Sequence, residues 1–355
     1  MGGRLALAAA AGRTRRPPPV LARRSPPPQH GLDWNISPPR PASMRLASLL
    51  PAGLLITALC PQAQAAAPQK IGITVGALDN PFYQALVRGA VQTAHGLNPA
   101  VRVTSLSANF SLPRQQQQIQ QLIAQKPDLI LLGAVDSRAI GPQVRAARAA
   151  GIVVVAVDVD APDVDGTVKS DNRQAGEISC RYLARQLDGK GELLIQGGPP
   201  VTSVSDRIAG CRAALAQFPG IHAREGVNGQ GSSLGGQRAL QADLARFAGL
   251  GAVFAINDRQ ALGCEKALPP RASLRIASVD GSPDIEQALH RSGPIVASAS
   301  QSPYRIGREA VLLGQRLLSG QQTARQVTVP VTLLTRDSLP GYHGWRSQQP
   351  PVSER

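Results

Sequence analysis

Along most of this 355-residue chain, planar polar side chains stand at the ends of short apolar runs. Asp79 and Asn80 follow Ile71–Val75, with Phe82 and Tyr83 just beyond; Asp158 and Asp160 follow Ile152–Val157; Asn257 and Asp258 follow Ala252–Ile256. Asp280 follows Leu274–Val279, Gln301 follows Ile295–Ser300, and Arg207 opens the helical stretch after Glu192–Gln196. Carboxylate, carboxamide and guanidinium ends hydrogen-bond neighbouring hydroxyls in a fixed orientation, and an aromatic ring covers a C–H face. Each such group costs ~1–3 kcal/mol if buried unpaired, so a site built of them discriminates between hydroxyl positions. The chemistry that fits is recognition of a small neutral polyhydroxylated ligand. A strand-end Asp or Asn is sufficiently explained as a helix cap when taken singly; the recurrence of such groups at matching positions is not.

Other signals point towards catalysis. Gly231-Ser232-Ser233-Leu234-Gly235 matches G-x-S-x-G, which would make Ser233 the nucleophile of an exported esterase, with Asp280 and with His290 or His343 as base. The preceding strand is poor in apolar residues and His290 falls within a helix, so a Gly/Ser loop opening a helix is the better account. Gly229-Gln230-Gly231 does not complete a G-x-G-x-x-G, because Gly235 falls one residue late. The five His are isolated and none has metal-ligand spacing to a Cys, so no metal and no cofactor is expected. The Gln115–Gln118 run reads as the solvated face of a helix.

The elements that must position these residues alternate strictly. Ile71–Val75, Val101–Leu106, Asp128–Leu132 and Ile152–Val157 read as buried strands, separated by helices over Pro81–Leu97, Pro113–Gln125 and Ala139–Ala150. Asn80 is a candidate cap, with Pro81 at the first helical position. The pattern restarts with helices at Ala175–Leu187, Asp206–Gln217, Gly235–Phe247, Asp258–Leu268, Pro283–Arg291 and Pro303–Leu318. Strands fall at Glu192–Gln196, weakly near Ile221–Val227, then at Ala252–Ile256, Leu274–Val279 and Ile295–Ser300, with a strand pair near Val327–Leu334. Such alternation predicts an α/β fold of parallel sheets with right-handed crossovers. About ten strands exceed one comfortable sheet, so two doubly wound lobes with a cleft between them follow, and open sheets bind ligands beyond their C-terminal strand ends.

The net charge of +15 and the 3% aromatic content need placing before a basic partner is inferred. Residues 1–43 hold seven Arg, nine Pro and one acid, Asp33, and read as a disordered upstream extension that is not translated. Met44-Arg45, an apolar run from Leu46 to Leu59 and Ala63-Gln64-Ala65 have the form of a secretory signal over 44–65, cleaved after Ala65. A basic arm with a membrane anchor is the competing reading, against which Pro51 and Gly53 interrupt a run that is short for a span. Cys60 invites a lipoprotein reading that Leu59 before it fits poorly. These segments carry seven of the fifteen net positive charges, and the remainder is scattered as single Arg, so no nucleic-acid partner is expected. An exported chain meets an oxidising compartment, and Cys180 and Cys211 lie on successive helices of the second lobe; they are predicted to pair, with two buried thiols as the alternative. Cys264 reads as a small buried apolar residue.

Three segments carry a family resemblance: Asp79-Asn80-Pro81-Phe82-Tyr83; Ala252-Val253-Phe254-Ala255-Ile256-Asn257-Asp258 with Ala261-Leu262-Gly263; and Val279-Asp280-Gly281-Ser282-Pro283-Asp284. Together they resemble the periplasmic sugar-binding proteins of ABC importers, of the ribose-binding type, from about Lys70 to Leu339. The resemblance implies the periplasmic binding protein type 1 fold, with lobes at 69–171 plus 302–328 and at 172–301 plus 329–340 and a flexible tail at 341–355. It implies a hinge of three crossovers near Ser170–Asn172, Gln301–Pro303 and Thr328–Val331. It also maps sugar-contacting positions onto Asn80, Phe82, Tyr83, Asp158, Arg207, Asn257, Asp280 and Gln301. Two positions depart from the ribose binders: Val159 stands where they have Arg, and Gly231 where they have an aromatic residue, so ribose itself does not carry over. The resulting expectation is a monomeric periplasmic protein, not an enzyme. It would bind a monosaccharide or sugar alcohol and deliver it to an inner-membrane ABC permease, a chemoreceptor being a compatible further partner. A sugar-responsive transcriptional regulator shares the two-lobed fold but needs a helix-turn-helix ahead of the first strand.

Overall fold

The structure, a computed structural model, describes residues 67–270 and 272–345. The upstream extension 1–43, the signal at 44–65 with its cleavage after Ala65, and the end of the tail lie outside the described residues. Among the described residues no helix is long and apolar enough to cross a membrane.

Two six-stranded sheets divide the chain. The first lobe begins β1 (Lys70–Val75), α1 (Pro81–Leu97), β2 (Arg102–Ser107), α2 (Leu112–Gln125), β3 (Leu129–Leu132), α3 (Gly141–Ala149), β4 (Val153–Val157) and β5 (Gly166–Ser170). The second lobe runs α4 (Asn172–Gln186), β6 (Lys190–Gln196), α5 (Thr202–Leu215), β7 (Gly220–Glu225), α6 (Ser233–Arg246), β8 (Leu250–Ala255), α7 (Asp258–Ala267), β9 (Arg275–Asp280), α8 (Pro283–His290) and β10 (Ile295–Ser300). The chain then returns through α9 (Pro303–Leu318) and β11 (Gln326–Val329) to the first sheet, and crosses again to β12 (Thr332–Thr335) in the second.

The strand orders are β11-β5-β4-β3-β1-β2 and β12-β10-β9-β8-β6-β7, parallel throughout except for the antiparallel edge strand β12 against β10. Both orders reverse direction once, next to β1 and next to β6, and wound sheets bind ligands at such reversals. The cores are mostly aliphatic because both faces of each sheet are covered by helices. Ile73, Leu129, Leu131 and Val155 are buried in the first lobe, and Leu193, Phe254, Ala277 and Ala297 in the second.

Several expectations need correction. β5 has one bulky apolar residue, Val168, in five, too little periodicity to be recognised, yet it sits between β4 and β11 with Val168 fully buried. The expected strand pair near Val327–Leu334 is instead two strands in different sheets: β11 lies parallel to β5 and β12 antiparallel to β10. α4, α5 and α6 start earlier than their apolar periodicity suggests. For α4 and α6 the reason is a cap, Asp171 accepting from the Gln174 amide and Ser232 from the Gly235 amide. The chain from 341 is not a free tail as far as Trp345, which is 3% exposed within the core of the first lobe. An indole in a mostly polar terminal stretch gave no periodic signal, but its burial restrains the segment that carries it.

Candidate functional site

Each strand-end group is delivered by a sharp exit from its strand. After β1 the Asn80 side chain accepts from the Phe82 amide at 3.0 Å and Pro81 occupies the first turn of α1, so the helix starts at the cleft and presents Phe82 and Tyr83 there. The two rings meet edge to face with centroids 5.4 Å apart. After β4, Asp158 adopts a left-handed φ of 69°, and Tyr83 Oη donates to its Oδ2 at 3.3 Å.

In the second lobe, α4 and α5 touch backbone to backbone. A Cβ at Gly176 would lie 1.8 Å from the Arg207 carbonyl oxygen, and one at Gly210 would lie 1.9 Å from that of Arg173, so only glycine permits this approach. That contact sets the Arg207 guanidinium, whose Nε donates to Asn172 Oδ1 at 2.9 Å and whose Nη1 donates to the Ile256 carbonyl at 2.7 Å. Arg207 Nη1 also lies 3.8 Å from Asp280 Oδ1. Asp280 leaves β9 with φ 141°, a backbone value that side chains rarely adopt, and Gln301 Nε2 donates to its Oδ1 at 2.8 Å. Asn257 caps α7 through Oδ1 and donates from Nδ2 to the Gly231 carbonyl at 3.0 Å. Gly231 has φ 64°, so a larger residue there would be strained.

All eight residues named from the sequence line one cleft, which encloses about 560 Å³ of space open in part to solvent. Asp158, Arg207, Asp280 and Gln301 are each no more than 7% exposed. Asp158 Oδ1 and Gln301 Oε1 are buried without a hydrogen-bond partner in the protein. Burial pushes the Asp158 carboxyl up to about 6, outweighing the opposing attraction of Arg207. Burial, reinforced by the charge of Asp258, holds Asp280 well above the usual carboxylate range despite Arg207. Burial and then the Asp158 charge raise the Tyr83 hydroxyl. The cleft thus brings carboxyl, carboxamide, phenol and guanidinium groups together with apolar faces.

Val159, where the ribose binders have Arg, is buried in the first lobe's core, and among the described residues no second guanidinium lines the cleft. Where an aromatic was missing at Gly231, the second lobe supplies an aliphatic wall of Val201, Val204 and Ile256. Sequence reasoning overlooked Phe110, an exposed lining residue whose φ of 53° follows Asn109 at 48°. It also misread the glutamines. Gln115 is fully buried, donates to the Gly133 carbonyl and accepts from the Val135 amide, both at 2.9 Å, and so fixes the loop that carries cleft residues Ala134 and Val135. Gln118 accepts from Thr74 Oγ1 and donates to the Ser107 carbonyl, each at 2.8 Å. A buried glutamine facing strand-end backbone looks, in sequence, like a solvated one.

The G-x-S-x-G stretch is the start of a packed helix. Ser233 lies in the first turn of α6, and a Cβ at Gly263 of α7 would lie 1.9 Å from its carbonyl oxygen. Among the described residues no histidine hydrogen-bonds Ser233, and no cluster of three metal-ligating side chains occurs.

Comparison with known proteins places this geometry. A family model of the periplasmic binding protein domain matches residues 71–322. A ribose import binding protein of Salmonella typhimurium is 28% identical over 298 residues, covering 82% of this chain and 98% of its own. A xylitol-binding protein of Mycolicibacterium smegmatis is 27% identical over 241 residues, covering 66% of this chain and 68% of its own. The crystal structure of an ABC transporter solute-binding protein from Mycobacterium smegmatis with bound glycerol is 27% identical, with a TM-score of 0.72 over 77% of this chain and 96% of that one.

Proposed function

The chain belongs to the periplasmic binding protein family, substrate-binding proteins of ABC importers rather than enzymes, and within it we propose a protein that captures a monosaccharide or sugar alcohol between its lobes. The observation that carries this reading is the ring of Asn80, Phe82, Tyr83, Asp158, Arg207, Asn257, Asp280 and Gln301 around one cleft, with Asp158 Oδ1 and Gln301 Oε1 buried and unpartnered. Two buried acceptors without a protein partner favour a ligand that brings its own O–H donors. Relatives named for ribose and for xylitol, and one holding glycerol, bind molecules of that class.

No bond is made or broken in this function. Residues of the first lobe, Asn80, Phe82, Tyr83 and Asp158, and of the second, Arg207, Asn257 and Asp280, contact one ligand, so binding favours the closed arrangement that a permease recognises. The lobes at 69–171 plus 302–328 and at 172–301 plus 329–340 would move as units about the three crossovers. Residues 44–65 would direct export to the periplasm, leaving a mature start at Ala66, which N-terminal sequencing of the secreted protein checks.

A thermal-shift and calorimetric screen of pentoses, hexoses and their alcohols tests the reading, because a ligand bound only by the folded state raises its stability. At least one member should raise the melting temperature. Asp280→Ala and Arg207→Ala should each weaken that ligand by roughly 10- to 150-fold, the worth of a hydrogen bond to a charged group. A screen in which no sugar or polyol binds would overturn the assignment.

A further inference from the structure

Beyond β12 the chain makes a short 3₁₀ turn at Leu339–Gly341 and continues to Trp345. This strap is rooted in the second lobe, where Leu339 is buried and Tyr342 packs against the same apolar cluster. Tyr342 Oη donates to the Gly281 carbonyl at 2.6 Å and lies 2.9 Å from Ser300 Oγ. Three residues later Trp345 enters the first lobe's core, meeting the Phe82 ring edge to face at 5.9 Å. Its one N–H donor is shared between two carbonyls, that of Asp280 at 3.2 Å and that of Gln301 at 3.1 Å. The Asp280 carbonyl also accepts from the Gln301 amide at 2.9 Å.

One indole therefore touches three of the eight cleft residues, on both lobes, while not itself lining the cleft. We propose that the strap over residues 339–345 is a positioning element of the binding site, in which Trp345 holds the Phe82 ring and the Asp280 and Gln301 backbone in register for ligand. The physical need is the conformation of Asp280. A residue at φ 141° followed by Gly281 at 69° is strained by about 1–3 kcal/mol and persists only when its surroundings over-determine it. The strap supplies a donor to each of these two consecutive carbonyls, from Trp345 and from Tyr342. Releasing them lets the Asp280 carboxylate and the Gln301 carboxamide drift from the geometry the ligand meets, and small displacements of preorganised groups are costly.

The ligand arm of the test rests on the reading of the cleft given above; a second arm does not. In the full chain, Trp345→Phe keeps an aromatic ring and removes the N–H, Trp345→Ala removes both, and each is titrated calorimetrically with D-ribose and with xylitol. Trp345→Phe should weaken whichever of these binds by about tenfold, the worth of one shared hydrogen bond, and leave the ligand-free melting temperature nearly unchanged; Trp345→Ala should weaken it further. Without ligand, hydrogen exchange at the Gly281 and Gln301 amides should quicken about tenfold in Trp345→Phe, with the amides of β1 and β3 unaffected. A merely structural tryptophan would instead lower the melting temperature and quicken exchange throughout. Unchanged exchange at Gly281 and Gln301 overturns the proposal, as does unchanged affinity in both variants. If the unsubstituted chain binds neither probe, the exchange result alone decides the role of the strap, and the choice of ligand class is judged by the wider screen.

Discussion

Asp158 connects the cleft to solution pH. Its carboxyl is raised to about 6 by burial, so the folded ligand-free protein holds a proton there that the unfolded chain releases near 4. The resulting contribution to stability is complete below about pH 4 and is lost as pH rises through about 6, a change on the order of 3 kcal/mol. A ligand hydroxyl donating to this group favours the charged form, so binding is coupled to proton release and should tighten as pH rises from about 5 to 7. Calorimetry across that range would show it, and Asp158→Asn should flatten the profile while weakening binding. A profile unaltered by that substitution would remove Asp158 from the site. Val159 and Gly231 act at the same scale: without a guanidinium at position 159 and a ring at position 231, selection falls to the remaining polar groups, to Phe82, Tyr83 and Phe110, and to the Val201, Val204 and Ile256 wall.

At the scale of elements, α4 and α5 form the platform for Arg207. Cys180 Sγ and Cys211 Sγ are joined across them with their Cα atoms 5.0 Å apart, and Cys211 lies one turn beyond Arg207. A bridge closing a 31-residue separation stabilises by about 3–4 kcal/mol in the chain-entropy account. The double substitution Cys180→Ser with Cys211→Ser should therefore lower the melting temperature by several degrees. It should also weaken ligand binding, because the α4–α5 contact at Gly176 and Gly210 that orients Arg207 loses its clamp. Mass analysis of non-reduced peptides checks the bond directly, and two alkylatable thiols would contradict it. Burial pushes the thiol of Cys264 up to about 12, so it stays an uncharged core group.

For the whole molecule, the lobes meet in direct polar contacts outside the eight-residue ring. Ser137 of the first lobe donates from its amide to the Pro200 carbonyl at 3.3 Å, and its Oγ accepts from the Thr202 amide at 3.1 Å. Thr202 Oγ1 accepts from the Asp160 amide at 2.8 Å, and Lys169 Nζ reaches Asp160 at 2.6 Å and Asp206 at 3.7 Å. Except for the Lys169–Asp160 pair, which lies within the first lobe, these contacts join one lobe to the other and so favour this arrangement over one with the lobes apart. Ser137→Ala combined with Thr202→Val removes both side-chain bonds, worth about 1 kcal/mol each. The variant should have a larger radius of gyration in solution scattering and bind up to about 30-fold more weakly, with the rank order of ligands preserved. A changed rank order would place these residues in the recognition surface instead.

The legible part of this protein was whatever is written locally. Apolar runs bounded by polar groups marked nearly every strand, Asn80-Pro81 marked the start of α1, and strand-end position alone brought Asn80, Asp158, Asn257, Asp280 and Gln301 to the cleft, because wound sheets present those ends on one side. β5 was illegible because parallel pairing on both sides stabilises a strand whose own composition is weak. Gln115 and Gln118 were illegible because a glutamine bonded to strand-end backbone and one bonded to water share the same sequence signature. The sequence by itself determined the two wound lobes and the kind of chemistry between them. Only the tertiary structure decided how those groups are held: which acceptors are left unpaired, how α4 and α5 aim Arg207, and that a terminal tryptophan reaches from one lobe to the backbone of the other. Such facts depend on contacts between residues far apart in the chain, and no local pattern encodes them.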